Sequence, residues 1–178
     1  MKVICSGCGI HLKDIPSEHF GDDGVSHGLC DSCYHHFLAQ TGMPLTEYVE
    51  GIPAPVVTVT PEGIIGTANK AASKLLGKSF HEMQGFKAGD VFECEYARLP
   101  EGCGETIHCS GCTIRRTVMD TMETGMSHNR VPACLRKYSY DGSCQVELLI
   151  STEKKGGVVF LRIDELKATT AIKITESG

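Results

Sequence analysis

The chain has 178 residues, with 17 Lys plus Arg against 22 Asp plus Glu and a formal net charge of −5. A mildly acidic chain lacks the phosphate-neutralising charge that non-specific nucleic-acid binding needs, and 41% hydrophobic residues exclude global disorder. No run approaches the length of a membrane span and no apolar leader follows Met1, so the expectation is a soluble, cytoplasmic chain that engages neither membrane nor nucleic acid.

Residues 1–43 are rich in Cys, His and Gly and poor in aliphatic side chains, so they cannot build a core of their own. Residues 44–51 read as a short helix, with Pro44 at its start, Gly51 at its stop, and Leu45, Tyr48 and Val49 on one face. This helix lies in a linker spanning 44–54. From Pro55 the texture becomes β-branched. Val56 to Thr60 is a strand, Pro61-Glu62-Gly63 a turn and Ile64 to Ala68 a second strand. Asn69 caps a helix through Ala71, Ala72, Leu75 and Leu76, and Gly77 ends it. Residues 78–111 are irregular. Ile114, Val118 and Met122 then recur at helical spacing up to Gly125. Three strands follow: Pro132 to Tyr138, Val146 to Ser151 and Val158 to Ile163, with turns at Asp141-Gly142 and Gly156-Gly157. Residues 167–178 are polar and read as a flexible tail. The order predicts an α+β domain over 55–166, a five-stranded antiparallel sheet with helices on one face.

Ten cysteines are many for a reducing compartment, where short regular spacings point to metal ligation before disulfides. Cys5 and Cys8 form one C-x2-C pair and Cys30 and Cys33 another, 21 residues apart. Two such knuckles supply four thiolates in the tetrahedral set that Zn²⁺ takes in structural sites. In a module this small, binding on the order of 10 kcal/mol would serve as folding energy. A redox C-x-x-C pair is the rival reading, without the strand-then-helix context it needs. His27, His35 and His36 stand near these ligands; His27 could orient the knuckle or be a half-exposed turn residue.

Ile4-Cys5-Ser6-Gly7-Cys8 and Ser26-His27-Gly28-Leu29-Cys30-Asp31-Ser32-Cys33 resemble a short cysteine motif that accompanies PAS domains and kinases in bacterial signalling proteins. The resemblance covers about the first 40 residues and implies no enzymatic activity. Val56 to Thr60, then Asn69-Lys70-Ala71-Ala72 and Leu75-Leu76-Gly77, resemble the opening of a PAS domain, and the three closing strands fit the same pattern. That resemblance implies a sensor of small ligands, light or redox state. Such a sensor often forms a homodimer through the domain and its flanking helix, and its output passes to a separate signalling protein. The cysteine of covalent flavin binding is not found, and His108 and His128 flank the long helix where a haem ligand would need to lie on it.

Cys94, Cys103, Cys109 and Cys112 follow at gaps of eight, five and two residues, in a stretch resembling a cysteine-rich insert of some bacterial PAS domains. Four thiolates in a Gly-rich loop repel one another unless a cation neutralises them. An iron–sulfur cluster and a second Zn²⁺ both suit such a set. Arg98, Arg115 and Arg116 could balance residual charge. Cys134 and Cys144 stand apart and read as a core thiol and a surface thiol. No phosphate loop, zinc-protease helix or nucleophile elbow is found, so no catalytic residue is assigned and an enzyme is not expected. Two readings follow. One is a redox sensor acting through a partner. The other is a dimerisation module with two structural zincs and no redox cofactor.

Overall fold

The computed structural model describes residues 2–14, 25–139 and 142–168. Three short strands open the chain: β1 (Lys2–Cys5), β2 (His11–Asp14) and β3 (Val25–Gly28), in the order β2-β1-β3. β2 runs antiparallel and β3 parallel to β1. Helix α1 (Asp31–Thr41) follows, capped by the Cys30 sulfur, which accepts from the Cys33 N–H, and closed by Gly42 in the left-handed conformation. Helix α2 (Leu45–Glu50) occupies the linker, with Pro44 as its N-cap and Gly51 as its C-cap.

The main sheet comprises β4 (Val56–Val59), β5 (Ile65–Ala68), β6 (His128–Ser139), β7 (Gly142–Lys155) and β8 (Val158–Ala168), in the order β5-β4-β8-β7-β6 and antiparallel throughout. Between β5 and β6 lie α3 (Lys70–Leu76), α4 (Phe80–Met83), α5 (Ala88–Val91), two 3₁₀ turns (Glu95–Arg98 and Ile107–Gly111) and α6 (Thr113–Thr124). This is the PAS-type α+β arrangement, and the stretch expected to be irregular holds short helices. β8 runs on to Ala168, so the first two residues of the expected tail pair with β7. Residues 169–178 lie outside the described ones.

Period-two alternation sorts the strand side chains into two cores. Val57, Val59, Val159, Leu161 and Ile163 join Val146, Leu148 and Ile150 beneath α6, where Ile114, Val118 and Met122 complete the layer. On the opposite face Val56, Val158 and Phe160 meet Phe37 of α1 and Val49 of α2. The sheet is thus covered on both faces, the second cover being the N-terminal segment. That is why all four residues of β4 are buried and why the cysteine-rich segment needs no core of its own.

Asn69 ties the linker to the sheet. Its Oδ1 accepts from the Ala72 N–H at 2.8 Å, capping α3, and from the Val56 N–H at 3.2 Å. Its Nδ2 donates to the carbonyls of Ile52 and Ala54, each at 2.8 Å. One fully buried amide therefore satisfies four backbone groups.

Candidate metal centre and thiol-lined cavity

The knuckle Cys5-Ser6-Gly7-Cys8 leaves the end of β1, and Cys30 and Cys33 sit on the first turn of α1. Pairing of β1 with β3 brings the two pairs together. The four sulfurs all lie within 4.8 Å of one another, and those of Cys8 and Cys30 are 3.8 Å apart. A tetrahedral thiolate site with metal–sulfur bonds of about 2.3 Å requires sulfurs about 3.8 Å apart, so the donor set and its spacing fit one ion. Backbone N–H groups point at the sulfurs: Gly7 and Cys30 donate to Cys5 Sγ at 3.4 and 3.3 Å, and Cys33 donates to Cys30 Sγ at 3.4 Å. A side chain at Gly7 would begin 2.9 Å from Cys33 Sγ, so the loop must stay bare there.

The electrostatics agree. Burial pushes the Cys5 thiol up, but the N–H groups of Cys30, Cys8 and Gly7 outweigh it and bring the pKa down to about 7. Burial and the neighbouring sulfurs of Cys30, Cys5 and Cys8 push the Cys33 thiol up. Four thiols in this space cannot all ionise unaided, which is the demand a cation meets. The His27 side chain lies outside the described ones; its backbone pairs with Ile4.

Cys94, Cys103, Cys109 and Cys112 lie around a different space. They are not gathered tightly enough for one ion; among the described residues the N-terminal quartet is. The expectation of a second tetrahedral zinc therefore finds no preformed site, because Cys94 opens the first 3₁₀ turn, Cys103 lies in the loop after it, Cys109 is in the second turn and Cys112 stands at the start of α6. All four line one cavity of about 370 Å³ against the α6 side of the sheet, with Val59, Phe92, Ile114 and Val118 on its apolar walls. Glu93, in the left-handed conformation at φ 61°, turns the chain into Cys94. Lys78 and Lys137 hold its carboxylate at 2.6 and 3.1 Å. Cys103 sits over Gly89, where a Cβ would come within 2.5 Å of its sulfur.

These thiols feel one another. Burial raises Cys94, and charge on Cys112 and Cys109 would raise it further. Burial likewise raises Cys103, opposed by the Gly89 N–H and reinforced by Cys109, Asp90 and Cys112. Cys109 differs: burial pushes it up, yet Thr106, the Gly104 N–H and the Arg115 charge bring it below the ordinary thiol value. The Gly104 N–H donates to Cys109 Sγ at 3.1 Å and Thr106 Oγ1 lies 3.2 Å away. Lys87 Nζ, also on the cavity wall, donates to the Cys103 carbonyl at 2.8 Å. Around a [4Fe–4S] cluster each thiolate binds its own iron, so the ligands stand further apart than around a single ion. A dispersed thiol set with N–H and cationic support fits that demand.

Cys134 corrects its expectation as a core thiol. It alternates with buried Ala133 and Leu135, so it is exposed, and it borders the same cavity with Gln145 Nε2 donating to its sulfur at 3.3 Å. The Cys144 side chain lies outside the described ones. No disulfide joins the nine cysteines that are described. Of the two histidines weighed for haem, His108 stacks on Tyr96 at 4.0 Å and His128 Nε2 lies 2.6 Å from Asp120 Oδ2.

Among known proteins, no family model and no curated protein matches the chain. Solved structures do. The photoactive yellow protein domain of the sensor histidine kinase Ppr from Rhodospirillum centenum is 17% identical, with TM-score 0.42, and the match covers 70% of this chain and 95% of that one. A PAS domain from Desulfitobacterium hafniense is 20% identical at TM-score 0.37, covering 69% and 99%. A domain of a sensory box sensor histidine kinase/response regulator from Geobacter sulfurreducens is 12% identical at TM-score 0.43, covering 67% and 90%. Sheet order, helix placement and the converged quartet define a PAS-fold chain with an N-terminal four-cysteine motif. Among the described residues no helix is long and apolar enough to cross a membrane.

Proposed function

We propose that this chain is a non-catalytic signal sensor of the cytoplasm whose cavity thiols hold an iron–sulfur cluster, with zinc at Cys5, Cys8, Cys30 and Cys33. The observation that carries the reading is the lining of one PAS cavity by Cys94, Cys103, Cys109 and Cys112 at wider spacing than a single ion takes. When bound, such a cluster supplies redox-sensitive, oxidant-labile chemistry. The chain's own groups hold and tune it: Gly104 and Thr106 donate hydrogen bonds to the Cys109 sulfur, and Lys87 and Arg115 place positive charge beside the loop. The output passes to a separate signalling protein, with a homodimer as the acting form. The dimer is expected to form through the linker helix and the PAS domain; Tyr48 and Val49 of α2 pack within the chain beside Phe37 and Phe160, which leaves the other faces of α2 for that contact.

Purification without oxygen tests this. The reading expects a brown protein with broad visible absorption that bleaches in air, carrying iron, sulfide and one zinc per chain. A colourless protein with zinc alone would favour the purely structural module and overturn the sensor reading.

A further inference from the structure

Helix α1 has little reason to be a helix by itself. It has eleven residues, and of these Phe37 is the one buried; isolated helices shorter than about 12–15 residues are marginal in water. Its two ends are fixed by different things. The first turn is built on Cys30, the N-cap, and Cys33, both members of the tight quartet. The second turn is fixed by the sheet. Phe37 is fully buried and stacks with Phe160 at 6.2 Å and edge-on with Tyr48 at 5.6 Å.

The β7–β8 turn closes the grip. Lys155 pairs with Val158 across Gly156-Gly157, both at positive φ, the two-residue hairpin that follows strand twist. A Cβ at Gly156 would fall 2.5 Å from the Phe37 Cα, so helix and turn touch backbone to backbone. Gln40 Oε1 accepts from the Gly156 N–H at 2.6 Å, and Lys155 Nζ donates to Tyr48 Oη at 2.7 Å. Leu29, next to Cys30, packs against the same cluster as Phe37, so order in the knuckles and the first turn of α1 bears directly on how firmly Phe37 sits in its socket.

We infer that α1 is a metal-set latch: filling of the four-thiol site holds Phe37 against the β7–β8 turn, and emptying it releases the turn and uncovers Val56, Val158 and Phe160. This rests on reading the quartet as a metal site but on no cofactor in the cavity. It gives the chain a second input, delivered to the opposite face of the sheet.

The test follows amide hydrogen exchange in the full chain, zinc-loaded and after treatment with a chelator, with zinc counted by mass spectrometry. Metal loss is expected to speed exchange about tenfold or more in α1 and at Lys155 to Val158, leaving α6 unchanged as the internal reference. Phe37→Ala is expected to keep its zinc yet show the same faster exchange at the turn. Zinc that departs without change at the turn overturns the latch alone, as does loss of protection throughout α6 along with it. A chain that carries no metal at these thiols, with a count unchanged in Cys5→Ser, overturns the metal reading and the latch together.

Discussion

The two cysteine quartets differ in how the chain delivers them. In the first, two knuckles lie at the ends of regular elements, and one strand pairing brings them into contact, so the four sulfurs converge on one point. In the second, the thiols come from two short turns and the loop between them, and the four surround a cavity. The first geometry leaves room for a single ion and no substrate. The second leaves space among the sulfurs, which suits a larger inorganic centre and lets the surroundings act on it.

The strongest way to break this contrast is Cys5→Ser. It should abolish metal at the first quartet, whose binding is worth on the order of 10 kcal/mol, and disorder the N-terminal strands while α6 and the cavity persist. Metal analysis with residue-resolved NMR checks both halves, and collapse of the sheet would show that the sites are not separable. Cys109→Ser should do the converse: iron and visible absorption fall while zinc stays at one per chain. A smaller effect is expected at Asn69, which stands between the two regions. Asn69→Ala removes a helix cap and leaves buried backbone groups unpaired, destabilising the chain by about 3 kcal/mol in urea unfolding.

Gly89→Ala sharpens the contrast within the cavity. The added methyl meets the Cys103 sulfur, so overpacking should cost about 1–3 kcal/mol and lower the iron retained after desalting, with zinc unchanged. The smallest effect concerns Glu93. Hydrogen bonds from Lys78 and Lys137 hold its carboxyl below the ordinary value. A lowered folded value means the stabilisation is complete above the ordinary glutamate range and fades as pH falls through the lowered one. Glu93→Gln should flatten that acid limb by less than about 1 kcal/mol, since the pair is half exposed and screened by salt. Urea midpoints across the acid range measure it.

What could be read in advance followed from locality. Paired C-x2-C spacing announces a four-thiol site because the ligands of each pair are neighbours in the chain. Val56 to Ala68 and Val146 to Ile163 announce strands because β-branching and alternation are local patterns, and Asn69 with Gly77 mark the ends of α3 as caps do. The second quartet was legible as a set of thiols that belong together but not as a geometry. Its arrangement depends on Glu93 at positive φ and on the close seat of Cys103 over Gly89, and neither leaves a periodic signal. Cys134 was misplaced because a strand position was known before its facing was. The docking of α1 was missed altogether: the helix buries Phe37 alone, too little for an apolar stripe, and its partner Phe160 is distant in sequence.

Strand β4 is a partition wall. Val59 looks into the thiol-lined cavity while Val56, on the other side of the same strand, leans on the segment that carries the first quartet. A wall one layer thick has no private side. If it bows to accommodate a guest on the left, the right-hand side meets the bulge, and the cavity and the four-thiol segment are coupled mechanically without sharing an atom.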